Sequence, residues 1–284
     1  MAKPFIKWPG GKAKLLPIIE SLLPKERFTS YYEPFLGGGA VFFRMEELFR
    51  LGITYYLNDL NSGLMQVYSF LQSSEHIENL CAFLVCVEKE NKEEFYYMIR
   101  NEFNNRSANT VDYVHVGKFI YLNRTCFNGL FRVNSNGKFN VPYGHYKNPK
   151  VAIIDLLSAA HKVFTDKDCH ITLSNTSYRH ALAPALTSPK EAFIYLDPPY
   201  HPVLDKPSFT AYTAEGFGEQ DQLDLAATLR ELDSKGARWM LSNSNTDFIK
   251  NLYKNFDITP VTTTRTIARS TRNVANEVLI RNYT

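Results

Sequence analysis

Residues 191–202 read EAFIYLDPPYHP. Ala192 to Leu196 form an apolar, β-prone run that suits a strand buried on both faces. The run then meets Asp197, Pro198, Pro199 and Tyr200. Proline cannot donate to a sheet ladder, so the strand must stop there. The residue before a proline is pushed to extended geometry, which stiffens Asp197 and Pro198 together. A rigid acid beside a rigid carbonyl and a flat ring suits the gripping of a planar molecule. Read alone, the same residues also describe a strand-ending turn with a solvated Asp.

Working outward, strands alternate with helices. TSYYEPF (29–35), ITYYLND (53–59), HITLS (170–174), ARWMLSNS (237–244) and VLIRNY (278–283) read as further strands. LLPIIESLL (15–23), GGGAVFFRMEELF (37–49), residues 152–164, EQDQLDLAATLRELD (219–233) and TDFIKNLYKNF (246–256) read as helices. The alternation predicts an α/β fold with a mostly parallel sheet covered on both sides. Residues 60 to about 124 carry helical patterns only, and an Asn- and Gly-rich stretch follows. There Asn136-Gly137, flanked by FRV and KFNV, predicts a two-residue hairpin turn. The expected organisation is a catalytic domain of residues 1–61 and 151–284 with an inserted domain at 62–150.

The chain has 284 residues and a net charge of +3, too small to name a partner. The distribution of charge says more. Tyr113 to Ile154 contains no Asp or Glu but holds Lys118, Arg124, Arg132, Lys138, Lys147 and Lys150. A second acid-free window, Ile258 to Asn276, holds Arg265, Arg269 and Arg272. Basic windows interleaved with Asn, Tyr and Phe suit a polyanion surface or a solvated face. No apolar run has the length of a membrane span, and the N-terminus has no apolar signal core. Cys81, Cys86, Cys126 and Cys169 show neither a CxxC pair nor zinc spacing. They are read as free thiols of a cytoplasmic protein, with no metal site.

The turn Glu33-Pro34-Phe35-Leu36-Gly37-Gly38-Gly39 follows the first sheet strand. At the carboxyl end of a strand such a turn lines the ligand crevice of a doubly wound sheet. It is not GxGxxG, and Gly10-Gly11-Lys12 lacks the phosphate-loop spacing. Asp59 lies at the end of the second strand, 20 residues beyond Gly39. That is the place of an acid gripping ribose hydroxyls, although Asp59 also suits a helix cap. S-adenosylmethionine (AdoMet) fits a crevice with a ribose acid and no phosphate cradle.

FIKWPGGKAKLLP, YYEPFLGGGAVFF, LNDLN, NRTCFNGLFRVNSNGKFNVPYGHYKNP and YLDPPY occur in that order along almost the whole chain. In this the chain resembles the Dam-type (D12 class) DNA adenine-N6 methyltransferases, nearest the branch that methylates adenine within GATC. The resemblance implies a Rossmann-like AdoMet-dependent methyltransferase sheet with an inserted helical target-recognition domain bearing a β-hairpin. It implies that Asp197 and the Pro198 carbonyl accept the two N–H bonds of the target amine. Pro199 would help hold them, and Tyr200 would stack on a base flipped out of the duplex. Trp8, Lys12, Phe35, Gly37, Gly39, Asp59, Asn175 and Asp197 would form the cofactor pocket. Lys7 would read an outer guanine, Arg132 a second guanine and Leu130 a thymine methyl. Phe127 would wedge into double-stranded DNA with Asn128 beside it, and Asn140, Pro142 and Tyr146 would line the same hairpin. Arg124, Lys138, Lys147, Lys150, Arg269 and Arg272 are generic phosphate candidates.

Two residues depart from the family pattern. Asn175 stands where relatives often have Asp, and His145 where they often have Arg. Other classes stay open at this point: a non-catalytic DNA-binding protein on the same scaffold, or an amine methyltransferase acting on cytosine N4 or RNA. A nucleotide oxidoreductase is weakened by the missing fingerprint. A restriction endonuclease acting on the same site, without direct contact, and a nucleoid-associated location are further expectations.

Overall fold

The computed structural model describes residues 1–50, 52–72, 76–90, 92–105, 112–203, 217–268 and 271–284, with backbone alone for 263–268 and 271–275. The first half runs α1 (Leu16–Ser21), β1 (Ser30–Glu33), α2 (Ala40–Phe49), β2 (Thr54–Asn58), α3 (Ser62–Leu71), α4 (Ile77–Glu88), α5 (Glu93–Asn104) and α6 (Tyr113–Thr125). The second half runs α7 (Ile154–Phe164), β3 (His170–Ser174), α8 (Tyr178–Leu182), β4 (Ala192–Leu196), α9 (Glu219–Ser234), β5 (Arg238–Ser244), α10 (Asp247–Leu252), β6 (Asp257–Ala268) and β7 (Thr271–Arg281).

The seven strands form one sheet in the order β3-β2-β1-β4-β5-β7-β6. β1 to β5 pair in parallel, while β7 is antiparallel to both β5 and β6. The fold is therefore α/β, as the alternation of elements predicts. Strand order reverses between β1 and β4, and a ligand crevice opens outside the carboxyl ends at such a reversal. Those two ends carry the glycine turn and the Asp-Pro-Pro-Tyr run.

Period two explains why β4 is apolar throughout. Phe193 and Tyr195 enter the apolar cluster on one face with Tyr31, Tyr55 and Phe42. Ala192, Ile194 and Leu196 enter the cluster on the other face with Leu225, Leu229, Trp239 and Ile249. Burying each larger side chain is worth about 1.5–3 kcal/mol. The first cluster continues without a break into Leu80, Leu84, Phe119, Ile120 and Val141, so α3 to α6 share a core with the sheet.

Local chemistry starts several helices. The Asn61 side chain accepts the Leu64 N–H at the head of α3, and Asp112 accepts the His115 N–H at the head of α6. Pro17 sits in the first turn of α1, where its missing N–H costs nothing.

Two details differ from expectation. The hairpin loop has three residues: Asn134 and Lys138 pair, Gly137 N donates to Asn134 O at 2.9 Å, and Gly137 has φ +72°. Asn134 Oδ1 accepts both the Asn136 and the Lys138 N–H, which favours this loop over a two-residue Asn-Gly turn. Around it the ladder reduces to two isolated bridges, Val133↔Phe139 and Cys126↔Tyr143. Second, β6 was not foreseen and β7 begins well before residue 278; together they make a long antiparallel pair.

Candidate active site

The candidate site draws on three strand ends and the N-terminal segment. After β1 the chain turns through Gly37 (φ +50°) and Gly39 (φ +70°), both left-handed, and enters α2. A Cβ on Gly37 would lie 2.9 Å from Trp8 Cδ1, so the turn and the Trp8 ring touch directly. Trp8 also stacks against Phe131, ring centroids 5.6 Å apart. One indole thus joins the glycine turn to the stretch that leads into the hairpin.

Asp59, half-buried beyond β2, accepts the Gly37 N–H at 2.8 Å and the Asn61 N–H at 2.9 Å. Burial raises its carboxyl above the usual range, and the two backbone donors pull it back. Asn175 Nδ2 donates to the Asp59 carbonyl at 2.7 Å. An ionised Asp at position 175 could not make that bond, because a carboxylate only accepts. Phe35 packs beside Tyr178 and Phe217, at ring-centroid distances of 5.6 and 6.0 Å.

After β4, Lys12 Nζ lies 2.6 Å from Asp197 Oδ2 and 2.6 Å from the Gly10 carbonyl. The same ammonium sits 5.0 Å from the Tyr200 ring centroid. Tyr200 OH donates to Glu277 Oε2 at 2.8 Å. Burial, with Asp197 and Glu277 nearby, holds the Tyr200 hydroxyl well above its ordinary pKa. Behind this group stands Glu33, 2 % exposed, which accepts the Tyr31 hydroxyl at 2.6 Å. Burial keeps the Glu33 carboxyl well above the usual range, and the Asp197 charge pushes the same way.

The N-terminal segment is tied to the end of α6. Asn123 accepts the Lys7 N–H at 2.9 Å and donates to the Lys7 carbonyl at 2.7 Å. Lys7 Nζ donates to the Arg124 carbonyl and lies 4.7 Å from the Tyr146 ring centroid. Burial, then the nearby Arg124, lowers its pKa. A Cβ on Gly129 would fall 2.7 Å from Lys7 Cβ, so this close approach needs glycine.

Phe127 is 49 % exposed, beside exposed Asn128 at φ +54°. The Phe127 N–H bonds the Pro142 carbonyl, and exposed Arg132 donates Nε–H to Asn140 Oδ1 at 2.7 Å. Leu130 is half-buried against the core. Arg124 uses its guanidinium on the Lys150 carbonyl at 2.7 Å and the Phe5 carbonyl at 3.5 Å. His145 has φ +50° and meets Tyr143 edge-on. Arg269 lies outside the described residues, as do the side chains of Arg265 and Arg272.

The structure brings Lys12, Asp197 and Tyr200 into one cluster, and Trp8, Gly37, Asp59 and Asn175 into its neighbour. Sequence reading missed Glu33, Asn123, Gln222, Asn243 and Glu277. Their one signal is a polar residue at a position that the local apolar pattern would bury. Among the described residues no group of His, Cys, Asp and Glu could hold a metal ion.

A doubly wound sheet with a glycine turn and a proline-stiffened acid at its strand-order reversal defines an α/β protein whose candidate ligand site lies at that point. Residues 8–267 match the family model of the D12 class N6 adenine-specific DNA methyltransferases. The chain is 38% identical over 294 residues to the Type II methyltransferase M.MjaIII of Methanocaldococcus jannaschii, covering 99% of each chain. It is 37% identical over 284 residues to a Type II methyltransferase of Lactococcus lactis subsp. cremoris, covering 99% of this chain and 95% of that one. It is 33% identical over 280 residues to the DNA adenine methylase of Serratia marcescens, covering 97% and 96%. The chain belongs to the D12 class of N6 adenine-specific DNA methyltransferases.

Proposed function

We propose that this enzyme transfers the methyl group of AdoMet to N6 of adenine within duplex 5′-GATC-3′, acting on a base turned out of the helix. The observation that carries the reading is the cluster after β4, the strand paired with β1, where Lys12 bonds Asp197 and lies over the Tyr200 ring.

The exocyclic amine of adenine is a poor nucleophile because its lone pair is delocalised into the ring. Asp197 is ion-paired with Lys12, and an ionised carboxylate only accepts hydrogen bonds. It would take one N–H while the Pro198 carbonyl takes the other, which turns the lone pair out of conjugation. The prolines and Lys12 hold these acceptors before substrate arrives, so little reorganisation is needed. Tyr200 would cap the base by stacking. A paired base cannot reach such a pocket, which is why flipping is part of the proposal.

The residues present fit AdoMet. Asp59 is a half-buried carboxylate at a ribose position, already oriented by two backbone donors. The glycine turn exposes backbone beside it, and Phe35 and Trp8 supply apolar walls. When bound, AdoMet supplies an electrophilic methyl group on a sulfonium. Positioning by Asp59, Gly37, Gly39, Trp8, Lys12 and Phe35 would bring the amine into line.

We assign residues 62–150 to recognition. Exposed Phe127 and Asn128 form a wedge of the kind that enters DNA, and Arg132, held by Asn140, suits a guanine edge. A restriction endonuclease that acts on the same site without direct contact belongs to the same reading. Among the described residues no helix is long and apolar enough to cross a membrane; action at the nucleoid belongs to the same proposal.

The test uses methyl-labelled AdoMet and two duplexes, one with a single GATC and one of the same composition scrambled. Label on the first alone, recovered as N6-methyladenine, is expected. Label on both would remove the GATC assignment, and label recovered on cytosine would remove the adenine assignment.

A further inference from the structure

Gln222 and Asn243 are amides in apolar places. Gln222 lies on the stripe of α9 that buries Leu225, Ala226 and Leu229, and it is 1 % exposed. Asn243 is fully buried in β5, the strand beside β4. A buried amide without partners is costly, so both must be bonded.

Their partners lie on one short piece of backbone. Gln222 Nε2 donates to the Pro199 carbonyl at 2.9 Å. Asn243 Nδ2 donates to Gln222 Oε1 at 3.1 Å, and Asn243 Oδ1 accepts the His201 N–H at 3.1 Å. Ser244 Oγ donates to the His201 carbonyl at 2.7 Å. The network therefore grips the residues on either side of Tyr200. Its polarity has one solution. A carbonyl only accepts and a backbone N–H only donates, so the two ends dictate how both amides face. His201 is itself stacked on Phe248, at 4.5 Å between centroids and 15° between planes.

We infer that Gln222 and Asn243 are positioning residues for Tyr200 in methyl transfer, an inference that rests on the stacking role given to Tyr200 above. The prolines fix φ at residues 198 and 199 but leave the Pro199 ψ and the Tyr200 torsions soft. The amides clamp the backbone across those torsions, and Glu277 holds the far end of the ring. A ring held at three points can meet a flipped base without searching, and supporting contacts of this kind give a site its precision.

Two variants of the full chain test this. Asn243→Asp replaces the Nδ2 donor with an oxygen that faces another oxygen. Gln222→Met keeps the length and loses both bonds. Below the thermal midpoint, single-turnover methyl transfer should fall roughly 10- to 100-fold in each, as small misplacements do. Dissociation constants for AdoMet and duplex should change by less than about twofold, because the loss is in orientation rather than in uniform binding. A duplex with 2-aminopurine at the target adenine should fluoresce more brightly in complex with either variant, since a loosened Tyr200 quenches less. Folded variants with the native transfer rate and native fluorescence would overturn the inference, even if their thermal midpoints fall. Should neither variant fold, Ser244→Ala, which deletes one oxygen at the His201 carbonyl, decides by the same two readouts. A native protein that methylates no adenine refutes the functional reading itself, which is a separate result.

Discussion

Lys12 and Asp197 form an ion pair of 2.6 Å across the crevice, between the N-terminal segment and the end of β4. Lys12 is 5 % exposed and Asp197 19 %, so neither charge is fully solvated. Breaking such a pair strands a charge. Asp197→Ala should abolish methylation while leaving duplex binding largely intact. It should also destabilise the fold by about 1–3 kcal/mol, the cost of a buried group that loses its partner. That is the low end for buried pairs, because Lys12 keeps the Gly10 carbonyl. In urea melts, Lys12→Met with Asp197→Asn should cost less than the sum of the two single changes. Strict additivity would show that the pair contributes no coupling.

Arg132→Ala should relax discrimination at one guanine by about 1–3 kcal/mol, the worth of a bidentate contact. Asn140→Ala should give a smaller loss at the same base pair, because Asn140 holds the Arg132 Nε–H. Methylation rates on duplexes altered one base pair at a time read both. Unchanged discrimination in Arg132→Ala would remove the hairpin from the recognition surface.

Glu33 gives a pH prediction. Burial raises its folded-state pKa above the ordinary 4.5, with Asp197 adding to the rise and Tyr31 and Lys12 opposing it. The folded chain then binds more protons than the unfolded chain at pH above 4.5. Its contribution to stability is complete below that pH and declines as pH rises through the folded pKa. Glu33→Gln keeps an acceptor for Tyr31 and removes the titration. Its stability relative to the native protein should therefore improve as pH rises above 4.5, until the folded pKa is passed. Denaturant melts along that range test it, and parallel profiles would show that Glu33 is not the titrating group.

Gly37→Ala should damage the cofactor side of the crevice. The new methyl group would meet Trp8 Cδ1 at 2.9 Å, at a φ of +50°. The left-handed backbone alone costs roughly 1–2 kcal/mol for a residue with a Cβ. The variant should melt earlier, bind AdoMet more weakly and show altered tryptophan fluorescence as Trp8 shifts off Phe131. Native AdoMet affinity would separate the glycine turn from the cofactor site.

The β4 strand end, the glycine turn and Asp59 were legible because each is announced within a few residues, by an apolar run, a proline pair or a glycine cluster. Gln222, Asn243 and Asn123 were not. Each acts on backbone far away in sequence: Gln222 on Pro199, Asn243 on His201 and Asn123 on Lys7. β6 escaped notice because its Thr-rich residues at the sheet edge carry no apolar alternation. The hairpin loop differed because the Asn134 side chain supplies acceptors that the Asn-Gly rule does not weigh.

By itself, the sequence determined the α/β class, the placing of the glycine turn and the Asp-Pro-Pro-Tyr run at strand ends, and the resemblance to an adenine methyltransferase family. The first two follow from short-range sterics and hydrophobic period, which act between neighbours in the chain, while the resemblance rests on the order of the quoted motifs. Only the tertiary structure decided that Lys12 meets Asp197, that Trp8 spans the glycine turn and Phe131, and that buried amides hold the backbone around Tyr200. Those contacts depend on which strand ends the sheet order brings together. A buried polar group takes its partner from that neighbourhood in space, where local sequence has no say.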